Sequence, residues 1–94
     1  MDDQIRKCVK VVGRVQGVGF RYFAHKQAKK YGLVGYVRNL PNGEVEVDVA
    51  GNTKDVDDFL CILQKGPSSS RVDLVTEQVL PLQNLPDTFD IRYF

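Results

Sequence analysis

The sequence predicts an α+β sandwich: an antiparallel sheet with two helices on one of its faces. Three observations predict it. Segments of period-two alternation and two segments of helical period follow one another as βαββαβ, with a short strand added at the end. Asn42-Gly43 stands between the second and third strands, a strong hairpin signal. No internal repeat, low-complexity run or linker interrupts the 94 residues, so 1–94 read as one domain. Two split βαβ units with right-handed crossovers, the ferredoxin-like arrangement, use this order compactly.

Residues 6–13 form the first strand, with Val9 and Val11 inward and Lys10 outward. The first helix spans 21–31. Ala24, Ala28 and Tyr31 recur at i, i+4 and i+7, an apolar stripe whose small residues allow close approach to a sheet. Gly32 is its C′ stop. His25, Lys26, Lys29 and Lys30 fall largely on the other face, so His25 reads as a solvated helix residue rather than a general base. Residues 34–39 are the second strand and 41–43 the turn. In the third strand, 44–49, Val45, Val47 and Val49 alternate with Glu44, Glu46 and Asp48, which predicts one buried face and one acidic, wet face.

The second helix spans 53–65. Asn52 is its N-cap, with Asp55 as capping-box partner. Asp55, Asp57 and Asp58 crowd the first turn and Lys65 sits in the last, as the helix dipole favours. Capping and solvation account for these aspartates without a metal. Val56, Phe59, Leu60 and Leu63 make the inner stripe. Gly66 and Pro67 end the helix, and 68–70 are loop. Residues 71–80 are a fourth strand of less clean alternation, followed by a loop with Pro81 and Pro86. The last strand, 88–93, turns Phe89, Ile91 and Tyr93 inward and Asp90 and Arg92 outward.

The chain is organised around Gly13 to Arg21, where the first strand passes through a glycine-rich loop into a helix N-terminus. Glycine permits φ > 0 and lets an anion approach main-chain N–H groups. The helix start adds unpaired N–H groups and partial positive charge, and Arg21 adds a planar fork of donors matched to phosphate oxygens. Taken alone this stretch is either an oxyanion cradle or a tight turn followed by a surface arginine. In the predicted topology the first two strands run parallel with the third between them. Their C-terminal ends then share one sheet edge, roughly 10 Å apart at ~4.8 Å per strand step. That places Asn39, a neutral amide able to orient water, beside the cradle.

Three sharper motifs fail. A triphosphate P-loop needs Gly-Lys-Ser/Thr, but Phe20 and Arg21 follow Gly19. The dinucleotide fingerprint needs glycine where Tyr22 stands. Cys8 to Arg14 has the Cys-x5-Arg spacing of cysteine-dependent phosphatases, yet the residues between read as extended strand, which turns the thiol away from any cradle.

With 13 Lys and Arg against 12 Asp and Glu, the net charge of +1 implies no strong field for nucleic acid or membrane. The acidic Met1–Gln4 start is not a secretory signal, and no stretch is long enough to span a bilayer. Cys8 and Cys61 fall on different sides of the predicted fold, so both read as free thiols of a cytoplasmic protein. One histidine and two cysteines do not make a metal site.

Two stretches resemble the acylphosphatase family. Residues 11–21, Val-Val-Gly-Arg-Val-Gln-Gly-Val-Gly-Phe-Arg, match its first signature at every constrained position. Residues 35–39, Gly-Tyr-Val-Arg-Asn, with Gly43, Val45 and Gly51 after them, match the second. The likeness extends over essentially the whole chain. It implies that Arg21 and Asn39 are the catalytic pair and that Gln16, Gly17, Val18, Gly19 and Phe20, with Arg21, bind phosphate; Gly19 stands where the family pattern is free.

The resemblance further implies hydrolysis of a small-molecule acyl phosphate to a carboxylate and inorganic phosphate, the latter also an inhibitor, with no cofactor or metal, by a monomer. The residues suit that chemistry. An acyl phosphate has a good leaving group, so a general acid is dispensable; Arg21 and the loop N–H groups offset phosphoryl charge, and Asn39 orients the water. Two other readings compete. A nucleic-acid binder of the same topology is opposed by Glu46 and Asp48 on the open sheet face. A non-catalytic phosphate-binding module of a larger enzyme is opposed by the presence of both Arg21 and Asn39.

Overall fold

The computed structural model describes residues 3–93; Met1, Asp2 and Phe94, which the one-domain reading includes, lie outside the described residues. The elements are β1 (Gln4–Arg14), α1 (Phe20–Lys30), β2 (Val34–Asn39), β3 (Val45–Asn52), α2 (Thr53–Lys65), β4 (Arg71–Leu80) and β5 (Phe89–Arg92). β-Branched residues at alternate positions of β1 and β3 commit both strands to one apolar face: Val9, Val11, Val45, Val47 and Val49 are fully buried. Against that face α1 lays Ala24 and Ala28, and α2 lays Val56, Phe59, Leu60 and Leu63. α1 packs over β2 and β5, and α2 over β1, β3 and β4.

The sheet order is β4-β1-β3-β2-β5. The four strands of the βαββαβ unit pair antiparallel, as expected from the sequence. β5 adds to β2 in parallel, which makes the five-stranded sheet mixed. β2, α2 and β4 have their expected bounds. β1 and β3 run longer than the alternation indicates, because pairing continues through Ile5–Gly51 to Gln4–Asn52. α1 begins and ends one residue earlier; Tyr31 caps it and Gly32 follows at φ 69°. At α2 the Asn52 side chain accepts from the Lys54 N–H at 3.0 Å. Only Asp55 lies in the first turn; Asp57 and Asp58 come a turn later, and Asp58 accepts from Lys54 at 2.8 Å.

A further expectation is overturned. The acidic face of β3 is not wet: Glu46 is 8% exposed and Asp48 6%. β3 is the central strand, so side chains from both neighbours close over its outer face. From β1, Arg6 forks onto Asp48, Nε to Oδ1 and Nη2 to Oδ2, both 3.0 Å. From β2, Tyr36 Oη and Arg38 Nε each donate to Glu46 Oε1 at 2.8 Å. The Arg92 guanidinium then stacks 4.1 Å from the Tyr36 ring centroid. Burial, with the hydrogen bond to Glu46, pushes the Tyr36 phenol up to about 12.

Burial alone would raise the Glu46 carboxyl, but hydrogen bonds from Arg38 and Tyr36 outweigh it and hold the group below its usual range. A depressed folded-state pKa contributes stability that is complete above the unfolded value and is lost as pH falls through the folded one. Glu46→Gln should therefore cost about 1.5–3 kcal/mol at neutral pH, the scale of a charge-assisted hydrogen bond. In urea unfolding, the gap between variant and wild type should close as pH drops below 4.5. A gap that did not change with pH would assign the loss to packing alone.

Candidate active site

Two buried side chains bracket the glycine loop: Val15 and Phe20 are each 1% exposed. Between them the backbone turns through Gly17 at φ 74° and Gly19 at φ 77°, left-handed conformations that suit glycine. Nothing lies within 4 Å of where a Cβ would project from either residue, so backbone conformation rather than lack of space calls for glycine. Gly19 is the N-cap of α1 and supplies no side-chain cap, and the first turn carries no acidic residue. The first bond back from the helix is Phe23 N–H to Gly19 O at 3.0 Å; among the described residues, the N–H groups from Gly17 to Tyr22 find no backbone acceptor. The local structure is thus a patch of open donors at the positive end of a helix.

Arg21 stands half-buried at the edge of this patch. Its Nη1 donates to the Arg92 carbonyl at 3.3 Å, and its guanidinium carbon lies 4.8 Å from the Tyr93 ring centroid. Asn39 ends β2, and its Oδ1 is buried without a hydrogen-bond partner among the described residues. Gly17, Gly19, Phe20, Arg21 and Asn39 line one pocket of about 410 Å³. Five of the seven residues expected at the site therefore converge on a single concavity.

The other two are used differently. Gln16 turns its amide away from the pocket and donates to the carbonyls of Leu40 at 2.8 Å and Glu44 at 2.9 Å. It ties the loop to the base of the β2–β3 hairpin, next to Asn39. Val18 packs against the core, and its carbonyl accepts from Ser69 Oγ at 3.0 Å. The loop is thus held on one side by its own Gln16 side chain on backbone carbonyls of the β2–β3 hairpin and on the other by the Ser69 hydroxyl on the Val18 carbonyl.

Sequence reasoning missed the pocket's remaining lining, Val15, Tyr22, Ile91 and Tyr93. Tyr93 is a correction: expected inward, it is 76% exposed. β5 stops at Arg92, so strand alternation no longer governs the next residue. No sequence signal marked Tyr22 or Ser69.

His25 is half-buried with its ring centroid 6.3 Å from that of Phe89, and it does not line the pocket. Cys8 and Arg14 both lie on extended β1, which rules out a thiol facing that arginine. Burial, then Glu46 and Asp48, pushes the Cys8 thiol up, away from a reactive thiolate. Both cysteines are free. Among the described residues no cluster of His, Cys, Asp or Glu is arranged to hold a metal ion.

A family model described as Acylphosphatase matches residues 7–91. An acylphosphatase from Syntrophotalea carbinolica is 44% identical over 89 residues, covering 95% of this chain and 97% of that one. The crystal structure of acylphosphatase from Bacillus subtilis superposes with a TM-score of 0.90 at 33% identity, covering 95% of this chain and 99% of the other. The T. kodakarensis HypF structure matches with a TM-score of 0.84 at 31% identity; it covers 98% of this chain, which spans 12% of HypF.

The Gln16 tie has a measurable consequence. Gln16→Ala removes two donors and should destabilise the protein by about 1–2 kcal/mol. Gln16→Glu sets carboxylate oxygens against two carbonyls and should cost more, despite its similar shape. Urea unfolding of both variants at neutral pH orders them. A Glu variant as stable as wild type would show that the amide donors do not hold the loop.

Proposed function

The chain belongs to the acylphosphatase family, and from that premise we propose that the 16–20 loop and Arg21 hold the phosphoryl group while Asn39 orients the attacking water. As a member of this hydrolase family the protein hydrolyses the carboxyl–phosphate bond of small-molecule acyl phosphates to a carboxylate and inorganic phosphate.

The observation that carries the assignment is the unpartnered, buried Oδ1 of Asn39 in the same pocket as Arg21 and the open loop amides. A buried acceptor without a donor is costly. A water that donates one O–H to it satisfies the acceptor and keeps a lone pair free to attack phosphorus. The bond to the acyl oxygen then breaks and the carboxylate leaves with its electron pair. The water's proton passes to a phosphate oxygen in this scheme, so no side-chain base is required.

Arg21 spends one donor on the Arg92 carbonyl, which fixes the plane of the guanidinium and leaves its other donors for phosphoryl oxygens. In-line displacement concentrates charge on those oxygens, where the loop N–H groups and Arg21 offset it. Neither metal nor cofactor enters the scheme. Gln16, read as a phosphate ligand from the resemblance, contributes through its backbone while its amide positions the loop.

All seven proposed site residues fall within residues 16–39, which supports a site complete within a single copy of the domain. Two free thiols support a cytoplasmic location, and no helix among the described residues is long and apolar enough to cross a membrane. A nucleic-acid partner does not enter the reading, because arginines of the outer sheet face are paired with Asp48 and Glu46. A second reading, a phosphate-binding module without turnover, draws on the likeness to HypF, of which one structure is of the phosphate- and nucleotide-bound form; steady-state hydrolysis of acetyl phosphate in the presence of a chelator separates the two.

Two variants test the roles. Asn39→Ala should lower kcat by about 10²–10³, as loss of one pre-positioned hydrogen bond to a reacting group does, while the inhibition constant of inorganic phosphate moves no more than a few-fold. A large parallel loss in both would make Asn39 a phosphate ligand or a support of the loop. Arg21→Lys keeps the charge but loses the fork. It should lose most activity and weaken phosphate inhibition with the fold intact by circular dichroism; near wild-type turnover would refute the two-pronged role.

A further inference from the structure

Part of the pocket wall is made by side chains outside the proposed phosphate cradle. Tyr22, Ile91 and Tyr93 line the cavity beside Arg21 and Asn39. Tyr22 is 75% exposed and Tyr93 76%, so two large rings stand in water at the mouth of the site. The Tyr22 side chain takes part in none of the hydrogen bonds, ion pairs or ring contacts found among the described residues. A phosphoryl group fills only a fraction of about 410 Å³, and ligand sites of this size ordinarily enclose a larger molecule.

The apolar surface does not end at the mouth. Beyond Tyr22, which borders both, a shallow groove of about 500 Å³ runs along the outer side of α1 between Phe23, His25, Lys26 and Lys29. A larger acyl group leaving the phosphate cradle meets aromatic and aliphatic surface in that direction.

We infer that Tyr22, with Tyr93 and Ile91, forms an acyl-binding wall that makes the enzyme selective for acyl phosphates whose acyl part is aromatic or extended and apolar. The inference rests on the catalytic reading above and adds the substrate class. Covering the exposed rings removes apolar area from water on both partners. A bare methyl group covers almost none of it.

Acetyl phosphate and phenylacetyl phosphate differ by one phenyl ring and test this directly. The measurement is kcat/KM for both substrates with wild type, Tyr22→Ala and Tyr22→Phe. Comparing the phenylacetyl-to-acetyl ratio across variants cancels any difference in intrinsic reactivity. Wild type should favour phenylacetyl phosphate by about tenfold or more, within the range that one hydrophobic group contributes to discrimination. Tyr22→Ala should bring the ratio down at least about threefold, and Tyr22→Phe should keep it, because the ring and not the hydroxyl forms the wall. A wild-type ratio near one, or a ratio that Tyr22→Ala leaves unchanged or raises, overturns the inference while hydrolysis of acetyl phosphate leaves the catalytic reading standing. Failure of wild type to hydrolyse either compound overturns both.

Discussion

The position of β3 between β1 and β2 is the constraint on which the site depends. Each of the outer pair runs antiparallel to β3 and hence parallel to the other, so both end on the same edge of the sheet. One end opens into the glycine loop and α1, and the other ends in Asn39. Right-handed crossovers leave a βαββαβ chain little choice in this. The anion cradle and the proposed water-orienting amide are neighbours because of strand topology, though Arg21 and Asn39 stand 18 positions apart in the sequence. Side-chain ties refine what topology sets: Gln16 spans from the loop to the carbonyls on the hairpin side, and Ser69 holds Val18 from the α2–β4 connection.

Charge is sorted between the sheet's outer face and the edge that carries the pocket. Carboxylates of the central strand lie on the outer face under Arg6, Tyr36 and Arg38, and the hydrogen bonds from Arg38 and Tyr36 hold the Glu46 carboxyl below its usual range. The first turn of α1 has no acid at all. A carboxylate there would cap the helix and stabilise it, but it would occupy the donors an anion needs. Leaving that end uncapped is a local cost that makes sense if a phosphoryl group completes it.

β5 links the two regions. It adds to β2 in parallel, and its C-terminal end delivers the Arg92 carbonyl to Arg21, with the Tyr93 ring over the guanidinium. The Arg92 side chain meanwhile stacks on Tyr36 of the outer face. A four-residue strand at the end of the chain thereby orients the cation of the pocket. It also places an exposed ring at the pocket's mouth.

Period-two alternation in β3, helical spacing in α1 and α2, and the Asn-Gly turn were sufficient to determine the element order from sequence, because backbone periodicity is a local property. Glycines at 17 and 19 and Arg21 before a helical stretch were likewise legible, since left-handed turns and helix ends have residue preferences of their own. Contacts that depend on distant partners were not. The burial of Glu46 and Asp48 follows from β3 being central and from arginines 8 and 42 residues away. The tie from Gln16 reaches 24 and 28 residues along the chain. Tyr93 leaves its expected face because β5 ends one residue before it. Periodicity states which way a side chain points from its own strand; only the packed sheet decides what covers it, and for Glu46, Gln16 and Tyr93 that decision belonged to the tertiary structure.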